Sequence, residues 1–574
     1  MTARVLKTAD DQYCGNMPFA AVGLPKTGGV GHAEISADGP FFRIPPFPGA
    51  QTDGFAAVAT LPGEDLGRDD LAGLVRDLRV GGTYWAAQPQ LPPKYVLARS
   101  HNALRNCSEL PKDVPVVLWA QRPTAPSSRS IATVITGDCD PWHMLGRAVA
   151  FVTEPADEVR AIAAILGVPT YLSDEATGQI EQQRTDARSV LAEFLAPDVA
   201  YLNPFDGHAM SARETAELCG FWRRMIDSNR EIACGIGFAF WKQDSVAPLL
   251  WSGSEPFAFV RAGPQTVHGA VAIWRSKTPP ETISALERRG IRLVEVEDGF
   301  LRSKGLGADC IPPLSVTVDR LGAHFDPAQP SELEVLLETA SFDAELLARA
   351  RQIRDLIVNA GLGKYERGRT ELGRPAGSRR HILVPGQVED DRSVQTGGSG
   401  MPNIELLRWV REQSPEAYIL YKPHPDVLAG HRSGAVAGRD CLDFADQIVT
   451  EPPISALIEM VDEVHVNTSL TGFEALMRDK PVTTYGAPFY AGWGLTDDLG
   501  PVPSRRSVRR TIDELVAATL LVYPRYRDPV TGIPCPAEVV VARLAADATD
   551  STGLVVAMRR LQGRFMRRLR SIAR

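Results

Sequence analysis

Short apolar runs alternate with amphipathic helical patterns along the C-terminal half of the chain. Residues 417–421, 463–466 and 482–485 are rich in β-branched and aromatic residues, and stretches with helical apolar spacing separate them. Strands that alternate with helices in this way form βαβ units, whose strands lie parallel in one sheet. The pattern therefore predicts an α/β fold.

Two further features predict how the chain is divided. Residues 364–380 are rich in Gly, Arg and Pro and precede an apolar strand at 381–385, which is typical of a linker between two sheets. A diverged internal repeat relates residues 141–171 to residues 453–485, and similar tails follow from Tyr201 and Val522. We expect a diverged, non-catalytic α/β module at 1–225, two Rossmann-like domains at 226–375 and 376–545, and a basic amphipathic tail at 546–574.

Composition narrows the class of protein. The chain has 574 residues, 44% of them hydrophobic and 23% charged, which is typical of a globular multidomain protein. No stretch is apolar for long enough to span a bilayer, and Lys7, Asp10 and Asp11 interrupt any signal-peptide core, so we expect a cytoplasmic protein. The net charge of -8 argues against a nucleic-acid partner.

The last turns of the chain differ from this average. No acidic residue follows Asp550, and seven arginines alternate with apolar residues. Such a segment favours anionic headgroups, so we predict peripheral association with the inner-membrane surface, with a solvated helical tail as the alternative. The arginines are Arg559, Arg560, Arg564, Arg567, Arg568, Arg570 and Arg574.

Polar residues follow the predicted strands where open α/β sheets present ligands. Lys422 and His424 lie just after one strand and could hold a phosphate, although their two neighbouring prolines are equally typical of a surface turn. Thr468 and Ser469 precede a helical pattern that contains Gly472, and a helix start can bind an anion or simply be capped. Glu474, one turn later, is a candidate for a ribose hydroxyl.

A second group of polar residues ends an earlier strand. Glu297 and Asp298 are followed by Arg302 and Ser303, and together with Gln387 they are candidates for the acceptor or sugar side of a cleft. The alternative for the acidic pair is a glycine-capped turn, which is common in α/β loops.

Three consecutive carboxylates, Glu389, Asp390 and Asp391, follow the strand 381–385. They repel one another unless positive charge lies nearby, which suggests a function. A metal site is one option. Because Lys422, His424 and a helix start already supply positive charge for a leaving phosphate, we expect no metal.

Four polar clusters, at residues 296–315, 384–398, 421–427 and 467–498, together resemble the capsular polysaccharide β-Kdo transferases of the KpsC type. The resemblance implies a GT-B-like glycosyltransferase with two facing Rossmann-like domains, here preceded by a partial copy that lacks these clusters. It also implies retaining transfer of Kdo, an acidic sugar, from CMP-Kdo to the (lyso)phosphatidylglycerol oligo-Kdo linker of capsular polysaccharide, without a cofactor.

Within this resemblance the family match assigns the catalytic nucleophile to Asp391, with Asp390 and Glu389 as competing candidates. Partners would be CMP-Kdo, a glycolipid acceptor and other capsule-assembly proteins. Two alternatives remain: a transferase for another CMP-linked ulosonic or sialic acid, and a non-catalytic capsule-assembly scaffold.

Overall fold

The computed structural model describes two compact units. One holds the described residues between 41 and 230 together with 250–256, and the other holds 231–249 together with the described residues from 257 to 546. The predicted tail, apart from its first residue, and most of the predicted linker lie outside the described residues. The described residues are 41–51, 57–59, 70–100, 104, 110–111, 113–120, 131–173, 180–183, 186–195, 199–261, 267–301, 311–362, 372–375, 377, 379–430 and 432–546.

The first unit contains a six-stranded sheet, called here the N-terminal sheet, in which every neighbouring pair is parallel except the last. Its strands, in spatial order, are Ile131–Thr136, Val116–Ala120, Tyr95–Ala98, Ala148–Thr153, Thr170–Ser173 and Ile180–Gln182. A smaller antiparallel sheet consists of Ala57–Ala59, Val199–Leu202 and Ala209–Met210. The helices are Leu71–Leu78, Pro141–Leu145, Val159–Leu166, Ala187–Ala192 and Ala212–Asn229.

The second unit begins with a seven-stranded middle sheet that mixes parallel and antiparallel pairs. Its strands, in spatial order, are Phe259–Val260, Ile232–Ile236, Ala270–Ile273, Leu293–Asp298, Ser315–Asp319, Pro524–Arg527 and Pro534–Cys535. The helices along this part of the chain are Phe240–Leu250, Pro280–Arg288, Glu332–Thr339, Ala344–Asn359, Ile512–Val516 and Ala537–Ala545, with a 3-10 turn at Arg275–Lys277 and a π-helix at Ala517–Val522.

A third large sheet, the C-terminal sheet, has six strands that are parallel throughout. The strands, in spatial order, are Gln447–Ile448, Tyr418–Lys422, His381–Pro385, Glu463–Val466, Val482–Thr484 and Asp497–Asp498. The helices are Arg392–Thr396, Asn403–Gln413, Pro425–Leu428, Gly438–Leu442, Ile454–Met460 and Thr471–Leu476. The predicted α/β class, with a Rossmann-like sheet in each domain of the second module, is confirmed.

The predicted repeat is visible as a repeated topology. Numbered along the chain, the strands of the N-terminal and C-terminal sheets follow the same spatial order, third, second, first, fourth, fifth, sixth. A hairpin and a helix follow each sheet: Asn203 N–H donates to the His208 carbonyl at 2.8 Å, and Asp528 N–H donates to the Ile533 carbonyl at 3.0 Å. Because short similarities in sequence coincide with equal topology, the copies share their scaffold.

The end of the chain returns to the middle sheet. Strand Pro524–Arg527 pairs antiparallel with Ser315–Asp319, so these residues, which we had assigned to the second Rossmann-like domain at 376–545, belong structurally to the first. Apolar periodicity carries no information about which sheet a segment joins. The remaining domain bounds stay predictions. Within the described residues, no helix combines the length and apolar character needed to cross a bilayer.

A buried ion pair ties the segment after the C-terminal sheet to the helix Glu332–Thr339. Arg506 Nε donates to Glu334 Oε2 at 2.8 Å, and the two side chains are 2% and 7% exposed. Arg505 also donates to the Glu334 carboxylate. The carboxylate is therefore compensated from two sides.

We predict that Glu334→Ala lowers the free energy of unfolding by about 3–5 kcal/mol, because it leaves a guanidinium buried without its partner. Glu338→Ala is the matched control on the same helix, where the carboxylate accepts from Ser507 N–H at 2.9 Å, and its cost should be roughly 1 kcal/mol. Chemical denaturation of both variants measures the difference, and equal costs would show that the buried pair is not special.

Candidate functional site

Three neighbouring strands of the C-terminal sheet end at one edge and carry the predicted clusters there. Tyr418–Lys422, His381–Pro385 and Glu463–Val466 lie side by side and parallel, with Pro385 opposite Lys422. A polar residue lies within two positions of the end of each strand. The carboxyl ends of parallel strands are where open α/β sheets bind ligands, so this edge is the candidate site.

Gln387 and Thr468 close the gap between two of these strand ends. Gln387 Nε2 donates to Thr468 Oγ1 at 2.9 Å, and Thr468 N–H donates to Gln387 Oε1 at 2.9 Å. Gln387 is 8% exposed, and its own N–H donates to Asn403 Oδ1 at 2.8 Å. These two candidates therefore bind each other and shape the floor of the site.

The three acids of the loop after His381–Pro385 point to different partners. Glu389 Oε1 accepts from Asn403 N–H at 2.9 Å. Asp390 accepts from Ser433 Oγ at 2.9 Å and pairs with Arg432 Nε at 3.2 Å. Burial alone would raise the pKa of Asp390, but the hydrogen bonds from Ser433 and Arg432 outweigh it and hold that pKa below its usual range.

Asp391 is engaged by a cation more weakly than Asp390 is. It is the N-cap of the helix Arg392–Thr396, but its side chain accepts no backbone N–H there. Ser393 Oγ donates to Asp391 Oδ2 at 2.7 Å, Arg432 Nη2 lies 3.9 Å from Oδ1, and the side chain is 51% exposed. The repulsion expected among the three acids is thus relieved by separate partners, and the side chains of Asp390 and Asp391 are both more than half exposed.

Lys422 and His424 differ in their environments. The Lys422 ammonium donates to the carbonyls of Thr450 at 3.2 Å and Pro452 at 2.7 Å, and the residue is 5% exposed. His424 accepts the N–H of Asp426 at its Nδ1 at 3.1 Å. A ring nitrogen that accepts carries no proton, so this network assigns a neutral imidazole with its proton on Nε2.

The helix start after Glu463–Val466 is closely packed. Ser469 Oγ accepts the N–H of Thr471 at 3.2 Å and donates to its hydroxyl at 3.1 Å. A Cβ at Gly472 would lie 2.3 Å from the Tyr490 hydroxyl oxygen, so a side chain cannot fit there. Glu474 is buried, and Arg478 lies close enough to interact with its charge. Ser469 thus serves as a cap at this point.

The middle sheet brings a second set of charges to the same module. Asp298 Oδ1 accepts from Lys242 Nζ at 2.8 Å, and this ammonium lies 3.5 Å from the centre of the Trp274 ring. Arg302 and Ser303 lie outside the described residues. Lys242 and Trp274 were not predicted from the sequence as site residues. The glycine turn after Ile232–Ile236 could have indicated Lys242, because such a turn opens the first βα unit of a Rossmann-like domain.

Glu297 lies among charges from both Rossmann-like domains. Arg392 Nη1 is 3.3 Å from Glu297 Oε1 and 3.2 Å from Glu295 Oε2. Burial raises the pKa of Glu297 from the ordinary 4.5 to about 8; Arg392 and Lys242 oppose this rise, and Asp298 and Glu295 add to it.

The raised pKa makes a testable contribution to stability. Because Glu297 binds its proton more tightly in the folded chain, its stabilisation is complete below about pH 4.5 and is lost as the pH rises through about 8. Glutamine cannot titrate. We expect the melting temperature of Glu297→Gln, relative to that of the unaltered protein, to increase steadily between about pH 5 and pH 8.

Glu405→Gln is the control for this measurement. An Arg408 hydrogen bond lowers the pKa of Glu405, so its proton equilibrium lies below that pH range and its difference curve should be flat. A flat curve for Glu297→Gln would contradict the assigned pKa.

Comparisons with known proteins find similarity to proteins of capsule and lipopolysaccharide synthesis. The family model described as capsule polysaccharide biosynthesis protein matches residues 269–375 and 370–526. The capsule polysaccharide modification protein LipA of Neisseria meningitidis serogroup A is 38% identical over 363 residues, covering 61% of this chain and 51% of LipA. The lipopolysaccharide-processing protein LpsZ of Rhizobium meliloti is 46% identical over 244 residues, covering 42% of this chain and 55% of LpsZ. The chain thus spans about half the length of these curated relatives.

Among solved structures, KpsC of Thermosulfurimonas dismutans, described as a β-Kdo 2,4 transferase, is 32% identical. The match spans 55% of this chain and 98% of the KpsC chain, with a TM-score of 0.48. A second structure of KpsC from this organism, described as a β-Kdo 2,7 transferase, is also 32% identical. The match spans 55% of this chain and 99% of that chain, with a TM-score of 0.44.

Proposed function

We propose that this chain belongs to the KpsC-type family of capsule polysaccharide biosynthesis proteins and is a retaining β-Kdo glycosyltransferase. Its donor is CMP-Kdo, and its acceptor is the (lyso)phosphatidylglycerol oligo-Kdo linker of capsular polysaccharide. The observation that carries the proposal is the half-exposed carboxylate of Asp391 at the strand-end edge, 3.9 Å from Arg432 Nη2. The two KpsC β-Kdo transferases named above, each 32% identical to this chain, support the substrate class.

Retention follows from two displacements at C2 of Kdo. In the first, an Asp391 oxygen attacks C2, and the bond from C2 to the phosphate oxygen breaks with its electron pair leaving on CMP. In the second, an acceptor hydroxyl oxygen attacks C2, the bond to Asp391 breaks, and the hydroxyl proton passes to a base. Each step inverts the anomeric carbon, so the product keeps the starting configuration.

Attack by a carboxylate on a sugar that carries its own carboxylate needs nearby positive charge. Of the cations considered from the sequence, Lys422 is engaged by backbone carbonyls and Arg392 by Glu295 and Glu297. Arg432 pairs with Asp390 and lies beside Asp391, so we assign the offsetting charge to Arg432.

The test of the proposal is incubation with CMP-Kdo in the absence of acceptor. We expect a covalent Kdo adduct on Asp391, detected by intact-protein mass spectrometry and peptide mapping, and its loss in Asp391→Asn because an amide is a poor nucleophile. Transfer to a synthetic lipid acceptor should fall by roughly 1,000-fold or more in this variant.

Asp390→Asn and Glu389→Gln are the matched controls, and both should still form the adduct. An adduct on either of these residues, or nearly unaltered transfer by Asp391→Asn, would refute the assignment. A panel of CMP-linked ulosonic and sialic acids in the same assay separates the alternative donors, and no CMP release from any of them would favour the scaffold alternative.

The neutral His424 is proposed to donate from Nε2 to the donor phosphate in the ground state and transition state alike. Uniform binding of this kind affects KM, so we expect His424→Ala to raise KM for CMP-Kdo by roughly 10-fold with little change in kcat. Lys422→Met should mainly lower the melting temperature, because the buried Lys422 ammonium ties together the carbonyls of Thr450 and Pro452. Unaltered KM in His424→Ala would remove this residue from the donor site.

We propose a non-catalytic role for the N-terminal module. At the position where the C-terminal sheet joins Gln387 to Thr468, the N-terminal sheet has an ion pair between Arg99 and Asp157 at 3.0 Å. The Arg99 guanidinium also lies 4.1 Å from the centre of the Trp119 ring. This pairing supports docking or stabilisation as the role of the N-terminal module.

Membrane association through the C-terminal tail stays a prediction.

A further inference from the structure

The helix Arg392–Thr396 belongs to the chain segment of the C-terminal sheet but contacts the domain of the middle sheet. Arg392 Nη1 lies 3.2 Å from Glu295 Oε2 and 3.3 Å from Glu297 Oε1. Its guanidinium lies 5.1 Å from the centre of the Phe325 ring. Thr396 Oγ1 lies 3.2 Å from the Phe325 carbonyl oxygen and 2.8 Å from the Arg392 carbonyl oxygen, so its single proton is shared between the two. Both ends of this short helix are therefore attached to the other Rossmann-like domain.

The same helix determines where Asp391 lies. The Asp391 carbonyl accepts the N–H groups of Val394 at 3.1 Å and Gln395 at 3.0 Å, so its backbone is part of the first turn. Its carboxylate makes no backbone cap, and the hydrogen bond from Ser393 Oγ is also internal to the helix. Consequently, a shift of the helix shifts the carboxylate with it.

The carboxylates that hold Arg392 are well placed to act as anchors. Glu295 is 5% exposed and is also paired with Arg275, which fixes it to its own domain. Glu297 lies two residues further along the same strand, Leu293–Asp298, and therefore on the same face of the sheet. One nitrogen of the planar guanidinium, Nη1, contacts both carboxyl groups, which fixes the direction of the Arg392 side chain.

We propose that Arg392 is a positioning residue, which holds the Asp391 carboxylate in its reactive place by anchoring the helix Arg392–Thr396 to Glu295 and Glu297 of the facing domain. This inference rests on the proposed function of Asp391. In this role Arg392 affects the reaction by placing Asp391 and does not contact the substrate itself. It also makes correct engagement of the two Rossmann-like domains a condition for catalysis.

The test separates positioning from donor binding. Arg392→Gln should reduce the rate of adduct formation from CMP-Kdo by about 100-fold, since a displacement of about 1 Å can cost that much, while KM for CMP-Kdo changes less than about 3-fold. Arg392→Lys should recover about a tenth of the unaltered rate, because lysine keeps the charge but lacks the planar guanidinium that lies against Phe325 and both carboxyl groups. Arg408→Gln removes an exposed arginine paired within its own helix and should leave the rate unchanged.

A second measurement does not depend on activity. Amide hydrogen exchange in residues 392–397 should become faster in Arg392→Gln and in Thr396→Val, which removes the other attachment, while exchange in Asn403–Gln413 stays constant. If Arg392→Gln fails to fold, Thr396→Val provides the same comparison of rate and exchange.

The outcomes distinguish the two proposals. Raised KM with unaltered kcat in Arg392→Gln would overturn the positioning role and make the guanidinium a donor ligand. Unaltered rate and exchange in both variants would overturn it as well. If the unaltered protein forms no adduct, the proposed function fails, whereas the exchange experiment still decides whether Arg392 anchors the helix.

Discussion

Three carboxylates at the end of one buried strand impose the main constraint on this structure. Glu295, Glu297 and Asp298 end Leu293–Asp298; Glu295 is buried and the other two are partly buried, and ionising such groups is costly unless cations and hydrogen bonds accompany them. The structure supplies the cations from three segments that are distant in sequence: Arg275, Lys242 and Arg392. Because Arg392 comes from the other Rossmann-like domain, compensation of charge within one strand also joins the two domains.

That junction does not act alone, since the chain after the C-terminal sheet returns to the first domain. Arg506 meets Glu334 there, and Pro524–Arg527 extends the middle sheet. The first contact requires two buried charges to meet, and the second requires strand hydrogen bonds, so the two attachments are of different physical kinds. The contacts of Arg392 are more accessible to solvent, with 24% of its side chain exposed, which makes them the more adjustable of the interdomain attachments.

The local part of this architecture could be predicted from the sequence, and the long-range part could not. The strands at 381–385 and 463–466 form with their predicted bounds, because apolar β-branched runs specify buried parallel strands locally. The edge where polar residues gather was predictable for the same reason. The partners of Lys422 and the pairing of Gln387 with Thr468 were not, because side-chain direction at a strand end depends on loops that fold elsewhere. Arg392 and Glu297 are 95 residues apart, and neither residue's local pattern indicates the other.

The two copies of the repeat show whether topology or local side-chain pairing determines the chemistry of the strand-end edge. Equal strand order brings the loops after the first and fourth strands together in both sheets, and polar groups in that position must be paired in either copy. The N-terminal copy meets the requirement with an ion pair, Arg99 to Asp157, whose cation is already neutralised. In the C-terminal copy the uncharged side chains of Gln387 and Thr468 pair with each other. The two strand ends are therefore joined without using a charged residue of the site. Arg432 and the acidic loop then remain at the edge as a charged pair that a ligand can contact. The candidate site therefore differs from its copy because an uncharged hydrogen-bonded pair joins the two strand ends, and not because of its topology.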